Sequence, residues 1–197
     1  MANVTIIYYS SSGTNHVMAQ AVEEGAKSAG AKTRRRLVAE TAPDAAIDRN
    51  PKWREFVDQT KAEPPASQDD FLWGDAVIFG TPTRFGNVAS QLKSFIDTLG
   101  GLWAQGKTVN KIYAGFTSAQ NQNGGQESTL LALYNTFYHF SGIIVPSGYA
   151  DSIVMKTGGN PYGPSVTAGA GGPSAEDLEH ARFLGRRVAE LAAKLSG

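Results

Sequence analysis

Ser10, Ser11, Ser12 and Thr14 place four hydroxyls around Gly13, and Asn15 and His16 follow directly. Short hydroxyls and main-chain N–H groups at this density suit the oxygens of a phosphate. The preceding run, Val4-Thr5-Ile6-Ile7-Tyr8-Tyr9, is β-branched and aromatic, and the following residues carry helical periodicity, so the loop joins a strand to a helix start. The first four N–H groups of a helix lack internal partners and lie at the positive end of its dipole, which makes such a loop a ready anion site. The loop contains no Lys or Arg, and neither Gly-x-x-x-x-Gly-Lys nor Gly-x-Gly-x-x-Gly is present. A phosphomonoester held by hydroxyls and backbone is therefore favoured over a polyphosphate, with an ordinary N-cap turn as the alternative reading.

Two further polar stretches follow apolar runs in the same way. Thr81-Pro82-Thr83-Arg84-Phe85-Gly86-Asn87 offers a fixed turn, an aromatic ring and N–H groups able to face a flat heterocycle, and the amide-rich run from Thr117 to Gly125 could wrap its other side. Trp103 beside Gly100 and Gly101 reads either as core or as a pocket wall. Of the three histidines, His139 at a helix end is a candidate proton donor or a partner of the helix dipole, while His16 and His180 read as helix surface. Their isolation offers no metal spacing.

These stretches need a scaffold, and 197 residues suit a single domain with one ample core. Basic and acidic residues balance at 18 each, so net charge does not point to nucleic acid or an anionic membrane. The absence of cysteine excludes disulfides, Cys-ligated zinc, iron–sulfur clusters and thiol catalysis. The start lacks a basic, apolar leader and no apolar window approaches the ~18 residues of a membrane span, so a cytoplasmic protein is expected.

Val17, Met18, Ala21, Val22, Gly25 and Ala26 define the inner face of the first helix, which ends at Gly30. Residues 32 to 38 read as an edge strand whose Arg34, Arg35 and Arg36 occupy its solvated end. From about 40 to 68 the periodicity breaks around four prolines, giving a surface excursion with a short helix near 53 to 60. Strands are predicted at 76–79, 111–116 and 143–145, and helices over residues 88–99 and 126–139. Gly100 and Gly101 are expected to stop the first of these helices and leave Leu102 and Trp103 on a loop. Residues 156 to 173, rich in glycine and proline, read as a flexible tether or a flap, and Ser174 with Asp177 caps a last helix. Strands alternating with helices imply a doubly wound parallel α/β sheet with helices on both faces, and the three polar loops then share its carboxyl edge.

Tyr8-Tyr9-Ser10, the run Phe79 to Asn87, Gly100-Gly101-Leu102-Trp103-Ala104, Gly124-Gly125-Gln126-Glu127 and Val145-Pro146 with Gly148-Tyr149 resemble the WrbA-type NAD(P)H:quinone oxidoreductases. The resemblance spans nearly the whole chain and implies a five-stranded flavodoxin-like sheet of order 2-1-3-4-5. It implies FMN as cofactor, NADH or NADPH as donor, a quinone as acceptor, ping-pong kinetics and a homotetramer. In that frame Ser10, Ser11, Ser12, Gly13, Thr14 and Asn15 hold the FMN phosphate, and Pro82, Thr83, Arg84, Phe85 and Gly86 border the ring. Thr117, Ser118, Ala119 and Gly124 complete the ring site, Ser12, Trp103 and His139 line the substrate side, and either His139 or Phe140 faces the flavin. The chain departs from the family pattern at Ser12, where an aromatic is usual, at the amide-rich 119–123, and at His139-Phe140, which replaces a His pair. A one-electron carrier and a non-enzymatic partner of a transcription regulator are the alternatives, and neither an acidic balance nor a basic reading helix supports them.

Overall fold

A computed structural model describes residues 1–195 of the chain. Its centre is β1 (Asn3–Tyr8), whose alternation sends Val4, Ile6 and Tyr8 to one face of the sheet and Ile7, with Tyr9 just beyond, to the other. Strand β2 (Lys32–Leu37) pairs with one side of β1, and β3 (Ala76–Arg84) with the other, both in parallel. Beyond β3, after a two-residue β4 (Asn87–Val88) that folds back antiparallel on its end, come β5 (Ile112–Ala119) and β6 (Ile143–Ile144). The parallel path β2-β1-β3-β5-β6 is the expected five-strand order once the short β4 is set aside.

Helix α1 (Thr14–Ser28) covers one face with the C-terminal helix. The excursion supplies three short helices, α2 (Asp44–Ile47), α3 (Pro51–Thr60) and α4 (Gln68–Trp73). Next come α5 (Ser90–Thr98), α6 (Gly100–Ala104), α7 (Gln126–His139), α8 (Ile153–Lys156) and α9 (Ala175–Leu195). One core joins β1, β3 and β5 to α1 and α9, and the other, richer in aromatic rings, joins them to α4, α5, α6 and α7. Between α1 and α9 the backbones nearly touch: a Cβ on Gly25 would lie 1.9 Å from the Arg182 carbonyl oxygen, and one on Gly185 2.0 Å from that of Val22. Only glycine fits there.

Several local expectations are corrected. Gly100 and Gly101 begin α6 rather than ending in a loop, so Leu102 and Trp103 are helical. Residues 80–84 and 117–119 continue strands β3 and β5: residues 80–82 pair in parallel with β5, Thr83 and Arg84 pair antiparallel with β4, and 117–119 pair in parallel with a later strand. The glycine-rich segment is no tether: β7 (Ser165–Thr167) pairs in parallel with Thr117–Ala119 of β5, and the Gly163 backbone packs on the Gly115 carbonyl so closely that a Cβ would sit 2.2 Å from it. His180 is buried, not on the surface, with Nε2 2.9 Å from Ser147 Oγ and Nδ1 2.8 Å from Thr157 Oγ1.

The triple Arg does lie on an edge strand, but its side chains are engaged. Period two sends Arg34 and Arg36 to Asp70 at the start of α4, at 3.3 and 3.1 Å, and Arg35 across the sheet to Glu23 of α1 at 3.1 Å. Arg34 also lies 4.4 Å above the Trp73 ring. The three cations fasten two helices to an edge.

Candidate functional site

The carboxyl ends of β1 and β3 are neighbours, and the winding reverses between them, which is where open parallel sheets hold ligands. A cavity of about 530 Å3 opens at this point, within the range of small-molecule sites. Ser10, Ser11, Ser12, Thr14 and Asn15 line it from the first loop, Pro82, Thr83, Arg84 and Phe85 from the end of β3, and Ser118, Ala119 and Gly124 from the end of β5. Three segments, the second more than 60 residues after the first and the third more than 30 after the second, are thus brought together by parallel pairing.

The first loop is built to accept. Gly13 at φ 90° turns the chain into α1 and has no side chain to cap it, and its own N–H donates to Ser10 Oγ at 3.0 Å. No acidic residue stands in the first turn of α1 to offset the dipole. Among the described residues nothing accepts from the N–H groups of Thr14, Asn15 or His16. Asn15 is buried; its Nδ2 donates to the Tyr9 carbonyl at 3.3 Å, while its Oδ1 has no partner. A buried polar atom left in this state is costly, and the cavity it borders is where a partner would come from.

A cation enters from the second loop. Arg84 stretches back so that its guanidinium donates to Ser11 Oγ at 3.3 Å and to the Thr83 carbonyl at 3.1 Å. The loop itself carries no cation, as its sequence reads, and the positive charge beside it comes from residue 84. Phe85 and Gly86, at φ 52° and 74°, form the two-residue turn between β3 and β4. Phe85 is fully exposed despite a positive φ that costs a non-glycine residue on the order of 1 kcal/mol. Thr83 is tied to α7 through its hydroxyl, 2.7 Å from Thr129 Oγ1.

Below this loop lies a second polar centre that the sequence reading missed. Glu40 accepts from Tyr9 Oη at 2.8 Å, Trp53 Nε1 at 2.9 Å, Gln91 Nε2 at 2.8 Å, and the N–H groups of Thr41 and Ala42 at 2.9 Å each. Burial alone would raise its pKa, but these donors outweigh burial and hold it below the usual carboxylate range. Glu40 thereby clamps the excursion to β1 and α5, and the excursion brings Asn50 to the cavity wall. Asn50 followed by Pro51 is a helix-start signature, and its side chain accepts from Lys52 N–H at 3.1 Å; that signal was available in the sequence.

Other expected residues stand elsewhere. Gly13 faces an adjoining groove, Thr117 is buried with its hydroxyl on the Thr81 carbonyl, and Gly86 packs toward Ser128. Trp103, His139 and Phe140 gather at the far end of α7, where Trp103 Nε1 donates to the His139 carbonyl at 2.8 Å. Helix α7 starts beside the cavity and its 14 residues run about 20 Å away from it. Phe140 is buried against Phe71 and Tyr113, so within one chain it does not border the flavin position expected for it. His16, read as surface, is half-buried, with Nδ1 2.7 Å from Tyr8 Oη, and burial followed by the Arg35 charge lowers its pKa.

Comparison with known proteins decides the family. Residues 2–153 match the model of the NADPH-dependent FMN reductase family. The chain belongs to that family. It is 46% identical over 98% of its length, and 97% of the relative's, to a protein of Deinococcus radiodurans named NAD(P)H dehydrogenase (quinone). A protein of Paracoccus denitrificans with the same name is 44% identical over 99% of this chain and 96% of its own. Among solved structures, a flavodoxin, WrbA-like protein from Agrobacterium tumefaciens superposes with a TM-score of 0.71 at 29% identity, covering 98% of this chain and 99% of that one. The family resemblance drawn from the motifs thus holds over the full sheet, and the fold is flavodoxin-like.

Proposed function

We propose that the protein is an FMN-dependent NAD(P)H:quinone oxidoreductase, transferring two electrons from NAD(P)H to a quinone in alternating half-reactions. The observation that carries this reading is the unsatisfied start of α1, with three unpartnered N–H groups and the orphaned Asn15 oxygen, set beneath Arg84 in the cavity at the winding reversal. These groups fit FMN. The N–H donors, the hydroxyls of Ser10 to Thr14 and the Arg84 guanidinium match a phosphate, and Asn15 Oδ1 can accept from a ribityl hydroxyl. FMN, when bound, supplies the hydride chemistry.

The chain's own residues have narrower tasks. The end of β3 and the end of β5 flank the ring position with backbone held in parallel register, so a flat molecule meets rigid edges. Arg84 is the one ionisable side chain lining the cavity among the described residues. Held on the phosphate loop, it is not available to the acceptor, and protons for the reduced quinone come from solvent or from another subunit. A homotetramer belongs to the same reading: Trp103, Leu131 and Tyr138 are large apolar side chains left exposed on α6 and α7, surface that a second copy would cover. In such an assembly Trp103 and His139 would border a neighbour's site rather than their own. A cytoplasmic location is likewise part of the proposal, since NAD(P)H is the donor.

The test is the visible spectrum of the full chain loaded with FMN. Flavin bands bleached by NADH or NADPH and restored by benzoquinone are expected. Bands that bound FMN shows but NAD(P)H leaves unbleached would overturn the enzyme reading in favour of an electron carrier.

A further inference from the structure

Beside the loop cavity, and opening into it, lies a groove of about 790 Å3 between the start of α1, helix α3 and the glycine-rich segment. Ser12, Thr14, Asn50, Gln120 and Ala168 line both spaces, so the two are continuous at the phosphate end of the loop. A flavin whose phosphate lies on the loop and whose ring lies between the ends of β3 and β5 would leave this groove empty. FMN ends at its phosphate.

The groove is equipped for more than water. Lys52 lines it, is exposed, and makes no ion pair among the described residues. It stands one residue inside the start of the ten-residue α3, where the dipole adds to its charge. Phe56 and Val17 supply apolar surface, and Gln59 and Gln120 supply amide donors and acceptors. Glu63 is the one carboxylate there among the described residues; it would repel a phosphate, but an acidic side chain can accept from ribose hydroxyls, as in dinucleotide sites. The groove's size falls within the range of nucleotide-sized ligands.

We infer that this groove takes the adenosine monophosphate half of flavin adenine dinucleotide, so that the chain accepts FAD as well as FMN, with Lys52 meeting the second phosphate. The inference rests on the FMN reading, because the flavin phosphate must lie on the first loop for the adenylate to enter the groove. No chemical step is added, since the reacting ring is the same.

The experiment is fluorescence titration of the flavin-free full chain with FMN and with FAD, for the natural sequence, Lys52→Glu and Gln59→Trp. Both variants sit on exposed positions of α3, so folding is retained. FAD should bind within about tenfold of FMN, and each variant should weaken FAD by about tenfold or more, the weight of one charge-assisted contact, while moving FMN by less than about twofold. FAD binding that is weaker than this, or that ignores both variants, overturns the inference and leaves the FMN reading standing. ADP binding to the FMN-loaded chain with the same Lys52 dependence, while FAD fails to bind, assigns the groove to a separate nucleotide and overturns it as well. Failure of both flavins to bind removes the FMN reading itself and the inference with it.

Discussion

Helix α1 is held in opposite ways at its two ends. Around residues 22–26 its backbone meets α9 through Gly25 and Gly185 with no room for another atom. At residues 14–16 its N–H groups have no partner among the described residues, and the buried Asn15 oxygen beside them has none there either. A set of donors that waits for a ligand is useful only if it cannot drift, because a misplacement of about 1 Å weakens every contact at once. The tightly packed middle of the helix holds its unsatisfied end in place.

The supported middle of α1 is most exposed to Gly185→Val, which drives a side chain into the Val22 carbonyl. Forcing the helices apart should cost about 3 kcal/mol, at the upper end of overpacking penalties, read as a lower urea midpoint. FMN affinity of the folded fraction should fall with it. Stability lost with affinity intact would mean that the support is dispensable.

The same support can be weakened by pH. His180 on α9 is held down to about 4 by burial, with Asp177 and Asp151 opposing only in part. Because the folded value lies below the ordinary 6.5, the unfolded chain takes up a proton first as the solution becomes acidic. The stability is fully present above pH 6.5 and drains as pH falls toward 4, by up to about 3 kcal/mol. Denaturant midpoints followed across that window should slope for the natural chain and flatten for His180→Gln.

At the unsatisfied end the effects are smaller. Arg84→Ala should weaken FMN by about tenfold, or ~1.4 kcal/mol, and reduce the salt dependence of binding. Titrations that match the natural chain would mean hydroxyls and main chain suffice for the phosphate. Phe85→Asn should raise stability by about 1 kcal/mol, since asparagine tolerates the left-handed turn and the fully exposed ring packs on nothing within the chain. A calorimetric melting temperature that falls instead would show the ring to be structural; catalytic efficiency with quinones should drop if it serves the ligand.

Much of this was legible beforehand. The β-branched and aromatic run from Val4 to Tyr9 read as a strand, and in a doubly wound parallel sheet the polar loop after it had to emerge at the carboxyl edge. Ser174 with Asp177 formed the expected cap, with Ser174 N–H donating to Asp177 Oδ2 at 2.9 Å and Asp177 N–H to Ser174 Oγ at 3.1 Å. Composition misled at residues 156–173, because β7 is held by main-chain pairing to β5, which side-chain types do not report. It misled also at His180, whose buried side of α9 is set by the loop carrying Ser147 and by α8 rather than by helical periodicity.

Local residue types determined the strands, the helix starts, the phosphate-binding character of the first loop and, through the run from Phe79 to Asn87, the family. Tertiary structure alone decided what acts on them. The charge missing from the loop comes from Arg84, 73 positions from Ser11, and Glu40 gathers donors from residues 9, 53 and 91, on three separate elements. Propensity and periodicity are properties of neighbours along the chain, whereas electrostatics and hydrogen bonding act through space. Parallel pairing of β1 with β3 and β5 brings those distant groups within reach of one another.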